Sequence, residues 1–256
     1  ATVTLGATST TDDPEGQITP TPEAPPSSHP AGAAGAPGTP AAPPSEDEVR
    51  EALGRFVGAI EQIPPAHSAV HVGGRRAYEL ARAGQTPDLQ PRTVHVYGLA
   101  LRGYAWPRLT VDVHCGAGTY IRSLARDIGA ALGVGGYCTA LARTAVGPFD
   151  IEAARDPAEL ALPDDLLSPL MALGHLRRVA LDPAGVARAR DGRAVEVHPA
   201  ALEPAPQAGD SAGDREQEAG PEEIVLLDPD GRLLALAALA PDGRTARPQK
   251  VFAPAP

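Results

Sequence analysis

The stretch from Leu109 to Gly133 limits what this chain can fold into more than any other part of the sequence. From Leu109 to Cys115, apolar and polar residues alternate, which is the period of a half-buried strand. The glycines at 116 and 118 break that strand. Apolar residues then recur at helical spacing up to Gly133, a residue type that commonly ends helices. The stretch therefore predicts a strand, a glycine turn and a helix in succession.

Arg122 lies in the first turn of this predicted helix, where a cation is out of place. The free backbone N–H groups there already carry partial positive charge, so a cation is unfavourable by roughly 0.3–1 kcal/mol. The helix start and the guanidinium together would form a site for an anion, either a phosphate or a carboxylate. The alternative is an Arg122 that is merely exposed and solvated, and the spacing alone leaves both readings open.

Length and composition set broad limits on the class of protein. A chain of 256 residues holds one large domain or two ordinary ones. It has two cysteines, Cys115 and Cys138, with no signal peptide and no long apolar run. These features predict a cytoplasmic protein with no disulfide framework and no membrane span.

The net charge of −10 argues against nucleic-acid binding, but its distribution does not. Residues 46–155 carry a net charge of +1, whereas residues 156–256 carry −7 and residues 1–45 carry −4. The part of the chain that holds the motifs is therefore not acidic, and local patches matter more than the total.

The first 44 residues divide into a strand-like start and a low-complexity segment in which almost nothing can pack. Residues 1–18 begin with a strand-like alternation, and residues 11–16 predict a solvated acidic turn whose spacing does not match a calcium loop. Residues 19–44 are rich in Pro, Ala and Gly, which predicts an extended, disordered insertion.

Residues 45–84 predict two helices and a short strand. Ser45 to Glu48 form a capping box, and Pro64-Pro65 is expected to end the helix that follows. Residues 67–72 predict a strand, and residues 75–83 a short helix. The apolar face of the first helix is predicted to consist of Val49, Ala52, Leu53, Phe56, Val57 and Ile60.

Two features of this segment are candidates for binding. His67 and His71 share a face of the predicted strand, but four strand residues span about 13 Å, which is too far for one metal ion. We therefore predict no metal site. Two alternatives remain open for a basic cluster in this segment. It contacts a nucleic-acid backbone, or it is a solvated helix face, and composition does not decide between the two. That cluster consists of Arg75, Arg76, Tyr78 and Arg82.

The rest of the chain predicts more sheet and a second domain. Residues 93–101 are expected to pair with residues 109–115, residues 137–146 to return as a strand, and residues 151–175 to be helical. From residue 179 the pattern predicts a short helix, a strand and a hairpin at residues 224–239, in a mostly β domain of about 80 residues. No dinucleotide, nucleophile-elbow or metal-ligand spacing occurs.

Two segments resemble a known family, the bacterial tRNA pseudouridine-55 synthases (TruB family). The segments are IEQIPPAHSAVHVGGRRAYELARAG and VDVHCGAGTYIRSLARDIGAALGVGGYCTALARTAVGPF. The resemblance covers residues 46–150 and includes TLGATSTTDDPEGQI near the start. The tail from about residue 176 is similar to the PUA RNA-binding domain that follows the catalytic domain in this family.

The resemblance implies an α+β protein with two domains. Residues 1–165 would form a pseudouridine-synthase catalytic domain with a mixed or antiparallel sheet, incomplete at its N-terminus. Residues 176–256 would form a small PUA-like barrel with a polar loop at residues 199–221.

The resemblance also implies an activity and a set of site residues. The family flips uridine 55 out of the tRNA T-loop and isomerises it to pseudouridine, without a metal or an organic cofactor. Tyr120 would lie against the flipped base, Arg122 would pair with the catalytic Asp, and Leu141 would line the base pocket. Arg75, Arg76, Tyr78, Arg82 and Arg143 would contact the tRNA, and the protein is expected to be a monomer.

The departures from the family matter as much as the matches. The catalytic Asp of the family lies in a GALDPLATG-like motif, which is expected upstream of Ala1, as is a second tyrosine that contacts the base. Asp12 and Asp13 match a different acidic turn, so neither is assigned as the nucleophile. His67, His71 and Ala142 stand where Tyr, Lys and Arg are common, and the loss of two cations should weaken phosphate attraction.

Three functions remain open at this point. In the first, the complete gene product is an enzyme that forms pseudouridine in tRNA. Alternatively, the chain is an inactive module that binds and remodels tRNA. The least specific reading is an α+β protein with no role on RNA, and the length of the motif string argues against it.

Overall fold

The structure of the chain is a computed structural model that describes residues 1–21, 43–206 and 221–252. The chain divides into two compact units, Ala1–Ala142 and Arg143–Pro256. No helix among the described residues is long and apolar enough to cross a membrane. The expected disordered insertion at residues 19–44 lies outside the described residues except at its two ends.

The first unit is built on a five-stranded antiparallel sheet. The strands of the whole unit are β1 (Thr2–Leu5), β2 (Ala7–Ser9), β3 (Ile18–Pro20), β4 (Gly58–Gln62), β5 (His71–Val72), β6 (Arg75–Arg76), β7 (Arg92–Ala105), β8 (Arg108–Cys115) and β9 (Gly136–Ala140). Its helices are α1 (Glu46–Gly54), α2 (Ala77–Arg82) and α3 (Ile121–Ala131). The order in the sheet is β4-β7-β8-β1-β9, while β2-β3 and β5-β6 form separate two-stranded ribbons.

The core of this unit lies between the sheet and the helices α1 and α3. Alternate residues of β1 and β8 are buried, as the period of these strands predicts. Apolar residues of α1 and α3 pack against them. The buried members of this cluster are Val3, Leu5, Val49, Leu53, Leu109, Val111, Leu124, Ala125, Ile128, Val134 and Cys138.

The strand, turn and helix predicted for residues 109–133 are confirmed. Strand β8 ends at Cys115, α3 runs from Ile121 to Ala131, and Gly133 follows with a φ of 72°. A positive φ at this place is the usual way in which glycine ends a helix. Strand β7 also pairs with β8 as expected, across a turn at Trp106 and Pro107.

The predicted boundaries of α1 are wrong at the C-terminal end. The capping box at Ser45 is present, but the helix ends at Gly54 and does not reach Pro64. Gly58 takes a φ of 101°, and residues 58–62 pair with β7 as an edge strand. The ladder with β7 therefore overrides the helical spacing of Ile60, which packs on the core from a strand.

The segment after α1 also differs from its prediction. Only His71–Val72 is a strand, and it pairs with Arg75–Arg76 across the turn at Gly73 and Gly74. The helix α2 consequently starts at Ala77, whose N–H donates to the carbonyl of Val70 at 2.7 Å. Because the two glycines form a turn, the first two residues of the predicted helix form the second strand of a hairpin instead.

Two predictions for residues 137–175 are wrong in part. The strand β9 ends at Ala140, and Ala145–Val146 (β10) instead pairs with Phe149–Asp150 (β11). The expected helices between 151 and 175 are short 3₁₀ turns, because prolines and polar capping residues interrupt the segment. These turns are Ile151–Ala153, Pro157–Glu159 and Pro169–Leu173.

The second unit contains a five-stranded sheet around its own apolar core. The remaining elements are β12 (Arg177–Ala180), α4 (Pro183–Arg190), β13 (Val195–Glu196), a 3₁₀ turn (Pro199–Ala201), β14 (Glu223–Leu227), β15 (Leu233–Leu239) and β16 (Thr245–Val251). The order is β12-β14-β15-β16-β13, in which only the β12-β14 pair is parallel.

The predicted helix and hairpin of the second unit are confirmed. Asp182 caps α4 through a bond from the Gly185 N–H at 2.7 Å, and Pro183 occupies the first turn. The hairpin of β14 and β15 closes through a turn in which Asp228 accepts bonds from Asp230 and Arg232.

The first prediction concerns Gly129 in the last turn of α3. A Cβ at this position would lie inside van der Waals contact with backbone atoms of Gly135 and Gly136. Gly129→Ala should therefore lower the free energy of unfolding by about 1–3 kcal/mol, although alanine normally favours helices. Denaturant unfolding measures the change. The matched control is Gly54→Ala at the end of α1, where a Cβ meets nothing within 4 Å. Equal stability for both variants would contradict the close packing of α3 on residues 135–136.

Candidate active site

Two arginines of α3, one helical turn apart, face the loop between β2 and β3, which we call the acidic loop (residues 10–17). The Nη1 of Arg122 lies 2.6 Å from Oδ2 of Asp13. Arg122 also donates to the carbonyl of Thr11 at 3.3 Å and to that of His67 at 2.9 Å. One guanidinium therefore joins α3 to the acidic loop and to the segment that precedes α2.

Arg126 makes the second set of contacts. Its Nη1 lies 2.8 Å from Oδ2 of Asp12, and its Nε lies 2.9 Å from Oδ1 of Asp127. Its Nη2 donates to the carbonyl of Ile63 at 2.9 Å. The side chains of Arg122 and Arg126 are 27 % and 30 % exposed, so both ion pairs are partly shielded from water.

The acidic loop is held by its own hydrogen bonds. The hydroxyl of Ser9 donates to the carbonyl of Asp13, and the hydroxyl of Thr11 donates to Oδ1 of Asp13. The N–H of Glu15 donates to the same Oδ1 at 3.1 Å. The expectation of a solvated turn is therefore wrong for Asp12, which is only 7 % exposed, and for Asp13, whose side chain is 18 % exposed.

The two neighbouring carboxyl groups have pKa values shifted in opposite directions. Burial raises the pKa of Asp12 above its ordinary value, and the attraction of Arg126 opposes that effect only in part. Burial also acts to raise the pKa of Asp13. Hydrogen bonds from Thr11, Arg122 and the Glu15 backbone outweigh it, so the pKa of Asp13 is lowered.

The start of α3 is fixed by a residue that sequence reasoning missed. Gln62, at the end of β4, is 2 % exposed. Its Oε1 accepts the N–H of Tyr120 at 2.8 Å, and its Nε2 donates to the carbonyl of Tyr120 at 3.1 Å. The hydroxyl of Ser123 donates to the carbonyl of Ile63 at 2.9 Å. Since Gln62 and Tyr120 are 58 residues apart, no local pattern could have signalled this contact.

These elements surround a cleft of about 390 Å³. It brings together three of the predicted site residues, Arg122, Tyr78 and Arg82, and the Arg82 guanidinium lies 5.6 Å from the centroid of the Tyr78 ring. The residues that line the cleft are Thr11, Asp13, Glu15, His67, Ser68, Ala69, Tyr78, Arg82 and Arg122.

The other predicted site residues lie outside this lining. Tyr120 occupies the N-cap position of α3 and is partly buried, and Leu141 follows β9 with 57 % of its surface exposed. Arg75 and Arg76 are exposed on β6. Arg143 is exposed and is the first residue of the second unit.

The anion expected at Arg122 is present within this chain. We expected the negative partner to come from an upstream segment, whereas the structure pairs Arg122 with Asp13. The first turn of α3 contains no acidic residue and Tyr120 gives no side-chain cap, so the acidic loop supplies the negative charge that a helix start favours. Among the described residues no group of three or more His, Cys, Asp or Glu side chains could hold a metal ion.

Comparison with solved structures defines the class of fold. The chain resembles a structure titled "Crystal Structure of a Cbf5-Nop10-Gar1 Complex" with a TM-score of 0.58 and 25 % identity. The match covers 83 % of this chain and 64 % of the other. The structure of an H/ACA RNP bound to a substrate RNA that contains 2′-deoxyuridine matches with a TM-score of 0.54 and 22 % identity, over 82 % of this chain and 62 % of the other. The fold is that of the pseudouridine synthases.

Sequence comparison then gives the family. Residues 1–121 match the TruB family pseudouridylate synthase (N terminal domain), and residues 122–162 match the tRNA pseudouridylate synthase B C-terminal domain. The chain belongs to the TruB family of pseudouridylate synthases, as the resemblance of the two segments predicted.

Three curated relatives share the name tRNA pseudouridine synthase B. The protein of Thiobacillus denitrificans is 43 % identical over 201 residues, which is 76 % of this chain and 61 % of the relative. That of Dehalococcoides mccartyi is 37 % identical, over 80 % of this chain and 65 % of the relative. That of Arthrobacter sp. is 36 % identical, over 99 % of this chain and 76 % of the relative. The chain thus spans less than two thirds of the length of the first two.

The second prediction compares the two aspartates of the acidic loop at neutral pH. The pKa of Asp13 is lowered, so its contribution to stability is present above the unfolded pKa and is lost as pH falls through the folded pKa. Asp13→Asn should therefore lower the free energy of unfolding at pH 7 by about 1–2 kcal/mol. Thermal unfolding as a function of pH measures it, and the difference from wild type should shrink in acid.

Asp12→Asn is the matched control for that measurement. The pKa of Asp12 is raised, so its contribution is present below the unfolded pKa and is lost as pH rises through the folded pKa. Asn resembles the protonated carboxyl group and tolerates the φ of 60° at this position. The melting temperature at pH 7 should therefore fall less than that of Asp13→Asn, because removal of the buried charge of Asp12 offsets part of the loss. A larger loss for Asp12→Asn than for Asp13→Asn would contradict the opposite pKa shifts.

Proposed function

We propose that this chain is the larger part of an enzyme that isomerises uridine 55 in the T-loop of tRNA to pseudouridine. The observation that supports this most directly is the Arg122 cleft. It places an arginine at the start of α3 beside an aromatic ring and a second arginine, in a fold shared with pseudouridine synthases. The names of the relatives support tRNA as the substrate.

The chemistry of the reaction fits a site built from side chains alone. Pseudouridine differs from uridine in the atom that joins base to ribose, since a C5–C1′ bond replaces the N1–C1′ bond. C5 loses a proton and N1 gains one, so atoms and electrons balance within the substrate. The site then needs a carboxylate to start the reaction, groups that hold the base, and no redox cofactor.

The carboxylate in this proposal belongs to a segment that precedes Ala1 in the complete gene product. Arg122 would pair with it, because a guanidinium offers several N–H donors to carboxylates. Arg122 uses its Nη1 on Asp13 and Nη2 on the His67 carbonyl, so the acidic loop and the segment before α2 hold the guanidinium in place. Tyr120 would lie against the flipped base, and Leu141, which is 57 % exposed, is available to line its pocket.

The substrate would be held through its phosphates and unstacked bases. Arg75, Arg76 and Arg143 are exposed, and no ion pair to any of them is found among the described residues. The Tyr78 ring under Arg82 offers a face for stacking. A PUA-like second unit would add RNA contacts, with the protein acting as a monomer in the cytoplasm, where tRNA is found.

One observation favours a second function, an inactive module that binds and remodels tRNA. The Arg122 guanidinium is already neutralised by Asp13 within this chain, so its charge is not free for a second carboxylate in this arrangement. The two functions differ in whether the complete gene product forms pseudouridine on a T-stem-loop RNA.

The third prediction tests the role of Arg122 in the complete gene product. Arg122→Ala should abolish turnover on tRNA and leave most of the affinity for tRNA, because other contacts position the RNA. Release of tritium from C5-labelled uridine measures turnover, and filter binding measures affinity. Turnover like that of wild type in this variant would reject the role. Binding without turnover by the wild-type protein would favour the inactive module.

The fourth prediction tests the basic residues of β6. The double variant Arg75→Ala/Arg76→Ala should weaken tRNA binding and lower the slope of log Kd against log salt by about 1–2, because each phosphate contact releases counterions. The control is Arg102→Ala, whose guanidinium is already engaged with Asp112 on β8. An unchanged slope in the double variant would exclude these two residues from the RNA interface.

A further inference from the structure

The ion pair of Asp12 and Arg126 has no part in the chemistry proposed above. Its oxygen and nitrogen lie 2.8 Å apart, and the Asp12 side chain is 10 % exposed. The neighbouring pair of Asp13 and Arg122 lines the cleft, and its atoms lie 2.6 Å apart. Two consecutive carboxylates therefore bind two arginines that are four residues apart on one helix.

An ordinary extended backbone does not allow this arrangement. Successive side chains of an extended segment point to opposite sides, so two neighbouring carboxylates would not both face α3. Asp12 has a φ of 60°, and it is the one residue other than glycine with a positive φ in the described part of the chain. This left-handed turn of the backbone lets both side chains face the same helix. A residue in this conformation needs neighbours that hold it there.

The contacts of Asp12 and Arg126 supply such a hold. The carbonyl of Asp12 accepts the N–H of Cys138 on β9 at 3.0 Å, which ties the loop to the sheet. Arg126 also donates to the carbonyl of Ile63, the residue after the Gln62 that fixes Tyr120. The pair therefore joins three segments, namely the acidic loop, α3 and the end of β4.

Burial of an ionised Asp12 does not serve stability at neutral pH. Burial raises the pKa of Asp12 despite the nearby Arg126, so the charged form is less favourable in the folded protein than in the unfolded chain. Buried ion pairs often stabilise a fold less than apolar residues of the same volume would. The pair thus places a charge where stability alone does not favour one.

We propose that Asp12 and Arg126 are a positioning pair, which fixes the acidic loop so that Asp13 holds the Arg122 guanidinium in the cleft. The proposal rests on the function proposed above, in which Arg122 acts on the reaction. Neither Asp12 nor Arg126 lines the cleft. Their effect on the reaction passes through Asp13 and Arg122.

The test uses the complete gene product with an unmodified T-stem-loop RNA under single-turnover conditions. Asp12→Asn keeps the backbone preference and the shape of the side chain but removes the charge. The rate at saturating RNA should fall about 10- to 100-fold, as expected for a misplaced reacting group, with Kd for the RNA changed by less than about twofold. Arg126→Gln should give a similar loss, and Arg126→Lys a smaller one.

The control is Asp112→Asn on β8, which removes an exposed ion pair with Arg102 on β7. Its rate should equal that of wild type. A full rate for folded Asp12→Asn would overturn the positioning role. A loss of rate that follows a loss of folded protein in thermal unfolding would also overturn it, because it would show a structural effect only.

A second measurement does not depend on activity. Carbon-13 NMR of the Asp13 carboxyl group gives its pKa, which lies below the ordinary value in the wild-type protein. In Asp12→Asn this pKa should rise towards the ordinary value, because Asp13 loses its fixed contact with Arg122. An unchanged pKa would overturn the inference. A wild-type protein that forms no pseudouridine would overturn the proposed function instead, and the NMR result would still decide on the pair.

Discussion

The first unit depends on two guanidinium groups that α3 extends towards a loop more than 100 residues earlier in the chain. Arg122 and Arg126 reach Asp13 and Asp12 across sequence separations of 109 and 114 residues. Each guanidinium also donates a hydrogen bond to a second segment. Arg122 donates to the carbonyl of His67, and Arg126 donates to that of Ile63. These bonds from charged groups are stronger than bonds between neutral groups, and they join segments that are far apart in the chain.

The elements that the sequence predicted correctly are those whose signals are local. Alternating apolar and polar residues predict β8, apolar residues at helical spacing predict α3, and a capping box predicts the start of α1. The turn at Asp228 likewise follows from its own residues. The predicted end of α1 was wrong because the helical spacing of apolar residues continues through residues that pair with β7. A local sequence pattern does not show pairing with a distant strand.

The candidate site was predictable only in part for the same reason. Arg122 was identified because a cation at a helix start is unusual, and the basic cluster around Tyr78 because its residues are close in sequence. Gln62, Asp12 and Arg126 were missed, since each acts through a partner more than 50 residues away. The roles proposed for Tyr120 and Leu141 come from the resemblance to a family and not from spacing.

Charge is distributed in a way that suits the proposed nucleic-acid substrate despite the net charge of −10. Arg122 and Arg126 of α3 are neutralised by the acidic loop, whereas the arginines of β6 are exposed on the surface. A protein with this arrangement attracts phosphates at particular patches and not over its whole surface.

The most direct test of the central claim, that the Arg122 cleft serves pseudouridine formation in the tRNA T-loop, is a map of modified nucleotides. Chemical mapping of tRNA from cells that lack the gene, and from the same cells with the gene restored, reads every position at once. The account predicts loss of pseudouridine at position 55 alone and its return with the gene. Pseudouridine at that position in cells without the gene would contradict it.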